Sequence, residues 1–318
     1  MSPSGATTAQ PARERRRLLR GPDLSVRAQE RTHAFLFLLP TLLVLALFVG
    51  FPLVYSVILT FTGAPPAPGQ FGKWVGIDNW RQVFGDSVFG QSFRQTLMYL
   101  GPSIVLAPLF GLFVAIVLNH EFPGRKLVRA SLLLPWAIPP VVVAAMFEWF
   151  LDPNRGLLGY WLTKIGVVKS SPLFFSGVPQ TLFVLVGIHI WKTFPLLAIM
   201  FLVALQYLPD EQLHAARIDG AGFWHRLRYI ILPHLRPTIV AALVVQFLIT
   251  ITLFDIIFAL TGGGPGQYST YNLYFYAFKQ SFEYNNFNLG SVIAYVVSGL
   301  VMGFALILTR GRSRMSLT

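Results

Sequence analysis

The sequence predicts an all-α integral membrane protein with six transmembrane helices and both termini in the cytoplasm. Three observations carry that prediction. Hydrophobic residues make up 54% of the chain and charged residues 12%, against about 25% charged in ordinary soluble domains. Six apolar runs reach the roughly 20 residues needed to cross about 30 Å of hydrocarbon. The 25 Lys and Arg fall mostly on one set of alternate loops, as the positive-inside rule requires.

Taken in order, residues 1–32 are rich in Arg, Pro, Ser and Ala and predict a mobile basic tail. The first apolar run, about 34–61, is too long for the 7–15-residue core of a cleaved signal peptide. Between it and the second run lies an external segment in which Trp74, Trp80 and Phe84 suit a short helix at headgroup depth. The second and third runs cover about 93–118 and 128–151, and the fourth about 179–205. A polar segment, 206–236, precedes the fifth run at about 238–261. A Gly-rich external loop, 262–287, then leads to the sixth at about 288–309, and 311–318 form a short tail. The membrane domain is therefore 33–310. Each run must be helical, since lipid offers its backbone no partners.

Orientation follows from where the cations lie. Seven Arg between Arg13 and Arg31 share one side with Arg125, Lys126, Arg129, Arg217, Arg226, Arg228, Arg236, Arg310, Arg312 and Arg314. That side is the cytoplasm. The net charge of +12 is thus a signal of topology, and nucleic-acid binding is not expected.

Several chemistries are missing. There are no cysteines, so disulfides, thiolate metal sites and a Cys nucleophile are excluded. No phosphate loop of the form G-x-x-x-x-G-K-[ST] occurs, and GGGPGQ at 262–267 lacks its Lys. The six His are scattered, with no metal-ligand spacing. No cofactor, metal or catalytic residue is expected in this chain, and a transport role is favoured over an enzymatic one.

Two features point to transport. Pro40, Pro52, Pro102, Pro108, Pro135, Pro139, Pro140 and Pro195 interrupt the first four spans, and broken helices commonly flank a cavity. Ionisable groups also sit inside spans, namely Glu148, His189, Lys192 and Asp255, where each needs a partner or water. Lys192 lies near the middle of its span with His189 three residues earlier on a shared face. That face either lines an aqueous path or pairs inside the bundle, and depth separates Lys192 from Asp255. Phe147, Trp191 and Phe254 are candidates for stacking on a solute, so the candidate path comprises Phe147, His189, Trp191, Lys192, Phe254 and Asp255.

The polar segment divides at a glycine pair. DEQLHAARID predicts a short helix with Asp210 and Glu211 at its favourable acidic start. Gly220 and Gly222 supply a turn. FWHRLRYIIL resumes helical spacing with Phe223, Leu227, Ile230 and Ile231 on one apolar face, and Pro233 and Pro237 punctuate the approach to the fifth span. Two short amphipathic helices meeting at a glycine make a knob that either rests on lipid headgroups or receives a cytoplasmic partner.

This segment resembles the signature loop of bacterial ABC importer permeases, E-A-A-x(3)-G-x(9)-I-x-L-P. Ala215 and Ala216 are followed by three residues and Gly220; nine more lead to Ile230, and Leu232 and Pro233 close the pattern. Asp219, Gly220 and Ala221 match the form common in sugar permeases, and Phe223 follows. His214 stands where the family usually has Glu. WVGIDNWRQVF at 74–84, LLLPWAIPPVVVAAMFEWFLDPNRGLL at 132–158, IWKTFP at 190–195 and LFDIIFALTGGGPGQYST at 253–270 are similar to the carbohydrate-uptake branch, the maltose and glycerol-phosphate type.

The resemblance implies a type I importer fold and a set of partners. These are a second, non-identical permease, two ATPase subunits that bind ATP and Mg and dock on the 214–233 loop, and an external solute-binding protein. The setting would be a bacterial inner membrane and the cargo a di- or oligosaccharide, or a related polyol or sugar phosphate. His214 would weaken the contact that the family's Glu makes with a basic ATPase residue, shift it to Glu211 or Asp219, or leave it shared asymmetrically with the partner permease. An ion-coupled secondary transporter, which would need an intramembrane ion site, and a non-transporting scaffold are the alternatives.

Overall fold

A computed structural model describes residues 24–65, 69–266 and 268–313, and all the regular structure among them is helical apart from one isolated bridge, Thr62 to Trp74. The expected tail 1–32 lies outside the described residues up to position 23, and so do 314–318. The chain divides between Ile58 and Leu59 into two compact units.

The first unit is one long helix. α1 (Leu24–Leu45) passes through a widened turn, Ala46–Gly50, into α2 (Phe51–Leu59). Helix thus begins before the apolar run, taking in residues 24–32 of the expected tail, because adding good helix formers to an existing helix costs no new nucleation. Pro52 comes just after the widened turn, in which the Phe51 N–H reaches the Ala46 carbonyl. Such a turn makes room for the proline ring, and the helix continues unbroken.

In the second unit α3 (Asp78–Gly85) precedes α4 (Ser87–Asn119). α5 (Arg125–Leu132), α6 (Leu134–Ala137) and α7 (Pro140–Phe150) follow, then α8 (Leu157–Lys164) and α9 (Val178–Gln206). α10 (Asp210–Ile218) is followed by α11 (Phe223–Arg226), a widened turn Leu227–Ile231 and α12 (Leu232–Ile251). α13 (Asp255–Leu260), α14 (Leu273–Phe278) and α15 (Phe287–Ser313) complete the chain.

Among the described residues five helices are long and apolar enough to cross a membrane, and a sixth span requires counting a bent pair as one. That pair is the third run, expected over 128–151 and expected to be interrupted at Pro135, Pro139 and Pro140. It bends by 96° between Ala137 and Pro140, because Pro139 and Pro140 have no N–H to give and their rings crowd the preceding turn. The fifth span, expected over about 238–261, reaches Leu260 but contains a short break. Its helix stops at Ile251, and Asp255 begins a separate short helix. The Asn272 amide donates to the open carbonyl of Leu253 at 2.5 Å, which holds the break.

The core is a pairing of α4 with α9, with α12 laid across both. Ser103, Ala107, Gly111 and Ala115 recur every four residues on α4 and are all buried. In lipid, where apolar surface alone gives little drive, such small residues bring backbones close enough for dispersion to hold them. A Cβ on Gly111 would lie 3.0 Å from the Ala198 backbone nitrogen and 3.0 Å from the Leu197 Cβ.

The outer segments are tied down by buried polar side chains. Asn79 donates to the carbonyls of Thr60 at 3.0 Å and Thr62 at 2.7 Å, and accepts from Asn288 at 3.0 Å. The headgroup helix expected around Trp74, Trp80 and Phe84 is α3, but Trp74 precedes it and stacks on Phe61 at 5.6 Å. From α4, Gln91, Gln95 and Tyr99 donate to the carbonyls of Tyr268, Ser269 and Thr270 at 3.2, 2.6 and 3.0 Å. The Gly-rich loop therefore has a defined path across the end of α4. Burial, and then its hydrogen bond to Asp86, push the Tyr276 phenol above its ordinary pKa range, so it stays a donor beside the α4 N-cap.

Two substitutions test this packing. Gly111→Ala is expected to lower stability by about 1–3 kcal/mol through overpacking against backbone. Gly101→Ala on the same helix meets nothing within 4 Å and is expected to be neutral or stabilising by up to about 1 kcal/mol. Thermal unfolding of the solubilised protein measures both. Asn79→Ala is expected to cost about 1–3 kcal/mol by leaving buried acceptors unpaired, read in the same assay.

Candidate functional site

α10 begins with Asp210 and Glu211 in its first turn and ends with Arg217 in its last, both favourable to the helix dipole. It is closed by a Schellman turn. The Ala221 N–H reaches the Ala216 carbonyl at 2.8 Å and the Gly220 N–H reaches Arg217 at 3.1 Å, with Gly220 at φ +76°. Gly220 is thus required for its backbone conformation, since a Cβ there would meet nothing within 4 Å.

Beyond the turn, the structure departs from two separate short helices. α11 runs through the widened turn into α12 as one continuous helical stretch. Pro233 does not end it, because the widened turn lies just before the proline, as at Pro52, and the Leu232 N–H reaches Leu227 instead. The knob is therefore the exposed end of a membrane helix joined to α10 by a rigid corner.

Its surface is more apolar than the sequence indicated. Leu227, Ile230, Ile231 and Leu232 are half-buried, while His214, Ala215, Asp219, Phe223 and Pro233 are exposed and Ala216 and Ala221 are half-buried. Ile218 is 87% exposed and Trp224 77%. These two were missed because periodicity marks the face a helix buries and does not say which other apolar residues are left in water. Phe223 packs edge-on to Trp224 at 5.4 Å, so the two rings form one projecting unit.

Inside the bundle the candidate path residues do not form one wall. His189 is buried and hydrogen-bonded to the Thr250 hydroxyl at 2.9 Å, and Gln246 donates to the same hydroxyl at 3.1 Å. Lys192 turns elsewhere, donating to the carbonyls of Pro135 at 3.3 Å, Trp136 at 3.1 Å and Ile138 at 2.5 Å. Three residues of helix leave side chains about 60° apart, enough here to aim His189 at α12 and Lys192 at the bend of the third span. Asp255 is exposed and makes no ion pair with Lys192. Phe147 and Trp191 meet edge-on at 5.3 Å. Phe254 belongs to a separate cluster with Phe258, Tyr274, Phe275 and Phe278. Among the described residues no group of His, Asp and Glu is placed to hold a metal ion.

These features define a polytopic α-helical membrane protein with an exposed helical corner built on a transmembrane helix. Residues 107–311 match the binding-protein-dependent transport system inner membrane component family. The chain belongs to this family, the permeases of ABC importers, and to its carbohydrate-uptake branch. It is 32% identical over 90% of its length to the trehalose/maltose transport system permease protein MalF of Thermococcus litoralis, covering 96% of that protein. It is 31% identical to the sulfoquinovosyl glycerol transport system permease protein SmoG of Agrobacterium fabrum, with 86% and 88% of the two chains covered. A crystal structure of a bacterial ABC transporter that imports the acidic polysaccharide alginate contains a chain of the same fold, with a TM-score of 0.80, 22% identity and coverage of 92% and 99%.

Because the corner depends on a left-handed residue, Gly220→Val is expected to disrupt it while Gly220→Asn, which tolerates that region, largely preserves it. Solute uptake at equal membrane levels of the two variants should separate them by about tenfold, the factor set by a strain of roughly 1–2 kcal/mol.

Proposed function

We propose that this chain is one of two non-identical permease subunits of an ATP-driven importer carrying a di- or oligosaccharide, or a related polyol or sugar phosphate, into the cytoplasm. In this reading the bent pair counts as one span, giving six, and both termini lie in the cytoplasm of a bacterial inner membrane. The concentration of Lys and Arg on one side supports that orientation. Relatives that carry trehalose, maltose and sulfoquinovosyl glycerol by name support the cargo class.

The observation that carries the reading is the exposed apolar cap of Ile218, Phe223 and Trp224 on the corner between α10 and α11. Aromatic side chains projecting into water from a rigid element are what a partner's cleft buries. Through the continuous helical stretch from α11 to α12, movement of such a partner would reach the membrane without a flexible joint. Two ATPase subunits, binding ATP and Mg, would dock here and on the second permease, and an external binding protein would deliver the solute. His214 is exposed on α10, one turn before Ile218, and would meet the ATPase with an imidazole where a carboxylate is usual.

Trp224→Glu and Ile218→Glu are expected to abolish solute-stimulated ATP hydrolysis in the reconstituted four-subunit complex while leaving membrane insertion unchanged. Normal stimulation in both variants would overturn the docking assignment. Uptake persisting on an ion gradient without any ATPase subunit would overturn the importer reading itself.

A further inference from the structure

The two carbonyls that the third span loses to proline are the two that Lys192 takes. In an unbroken helix the carbonyls of Pro135 and Trp136 would accept from the N–H groups of residues 139 and 140, and both of those residues are proline. The Lys192 ammonium donates to both, at 3.3 and 3.1 Å, and to the Ile138 carbonyl at the vertex of the bend, at 2.5 Å. An ammonium has three N–H donors and no acceptor, so three carbonyls match its full capacity. The carbonyl end of a helix also carries partial negative charge, which favours a cation.

Its neighbour grips the other limb. Trp191 packs edge-on against Phe147 of α7 at 5.3 Å, while Lys192 holds the carbonyls of α6 and the vertex. Two consecutive residues of α9 thus touch both sides of the 96° bend. α7 also packs against α13, which begins at Asp255.

We propose that Lys192 is a positioning residue, a clasp that replaces two missing backbone donors and sets the angle between the limbs of the third span. Its contribution to transport is to hold α6 and the vertex in place while Trp191 packs on Phe147, and it does not contact the solute. The link to transport rests on the function proposed above, whereas the clasp itself stands on geometry alone.

The chain has no cysteines, so within it spin labels attach only where a cysteine is introduced. Val128→Cys and Trp149→Cys, both at exposed positions on opposite limbs, would be labelled in the assembled transporter in liposomes. The inter-label distance distribution is then compared in parent, Lys192→Met and Lys192→Gln backgrounds. Loss of a charge-assisted hydrogen bond shifts a conformational equilibrium by about tenfold or more. Lys192→Met is therefore expected to broaden or displace the distribution, and Lys192→Gln, which keeps two N–H donors, to retain more of the parent peak. Maximal uptake rate should fall in Lys192→Met with the KM for solute little changed. An unchanged distribution in both variants overturns the clasp, and a raised KM with parental distances assigns Lys192 to the solute path instead. If Lys192→Met does not assemble, the Lys192→Gln distances decide by the same criterion. A shifted distribution in a chain found to transport nothing would retain the clasp and reject the proposed function, so the two fail separately.

Discussion

Backbone satisfaction in a medium without water governs this structure. Hydrocarbon offers no partner to an N–H or C=O, so every interruption of a helix must be answered from inside the protein. The chain has 22 prolines, and the answers to the breaks are visible. Widened turns sit just before Pro52 and Pro233. Asn272 takes the Leu253 carbonyl. Arg125 and Arg129 both take the Leu118 carbonyl near the end of α4, at 2.8 and 3.0 Å. Lys192 serves the bend of the third span. Side chains that read as functional curiosities in isolation are, in several cases, the donors that make broken helices tolerable.

The same constraint divides the molecule into stiff and adjustable parts. α4 and α9 approach closely at Gly111, where an added Cβ would press on the Leu197–Ala198 backbone. The third span, in contrast, is held at its vertex by one flexible side chain and at its far limb by α13 and an aromatic contact. A fixed pair beside a bent, clasped span is an arrangement in which motion has somewhere to be taken up. The corner between α10 and α11 is stiff in another way. Its Schellman hydrogen bonds and the positive φ of Gly220 fix the end of α10, and α11 runs on into α12 without a loop.

Much of this was legible in the residues. The apolar runs, the Lys and Arg asymmetry and the glycine-centred corner follow from local rules: run length, loop charge and the φ that glycine permits. The bend of the third span was less legible. Pro135, Pro139 and Pro140 announce a break, but not its 96° angle, which contacts with residues distant in the chain hold. Ile218 and Trp224 escaped because periodicity finds the buried face of a helix and is silent on which remaining apolar residues a fold leaves in water.

The sequence by itself determined that the chain is helical, lies in a membrane, and carries a polar corner with the spacing of an importer permease, since each depends on neighbours within a few turns. Tertiary structure alone decided where the buried polar groups go. His189 and Lys192 share a helix and are three residues apart, yet one bonds to Thr250 and the other to carbonyls more than fifty positions earlier. A hydrogen bond depends on distance and direction in space, and no spacing along the chain encodes which distant carbonyl has lost its own donor.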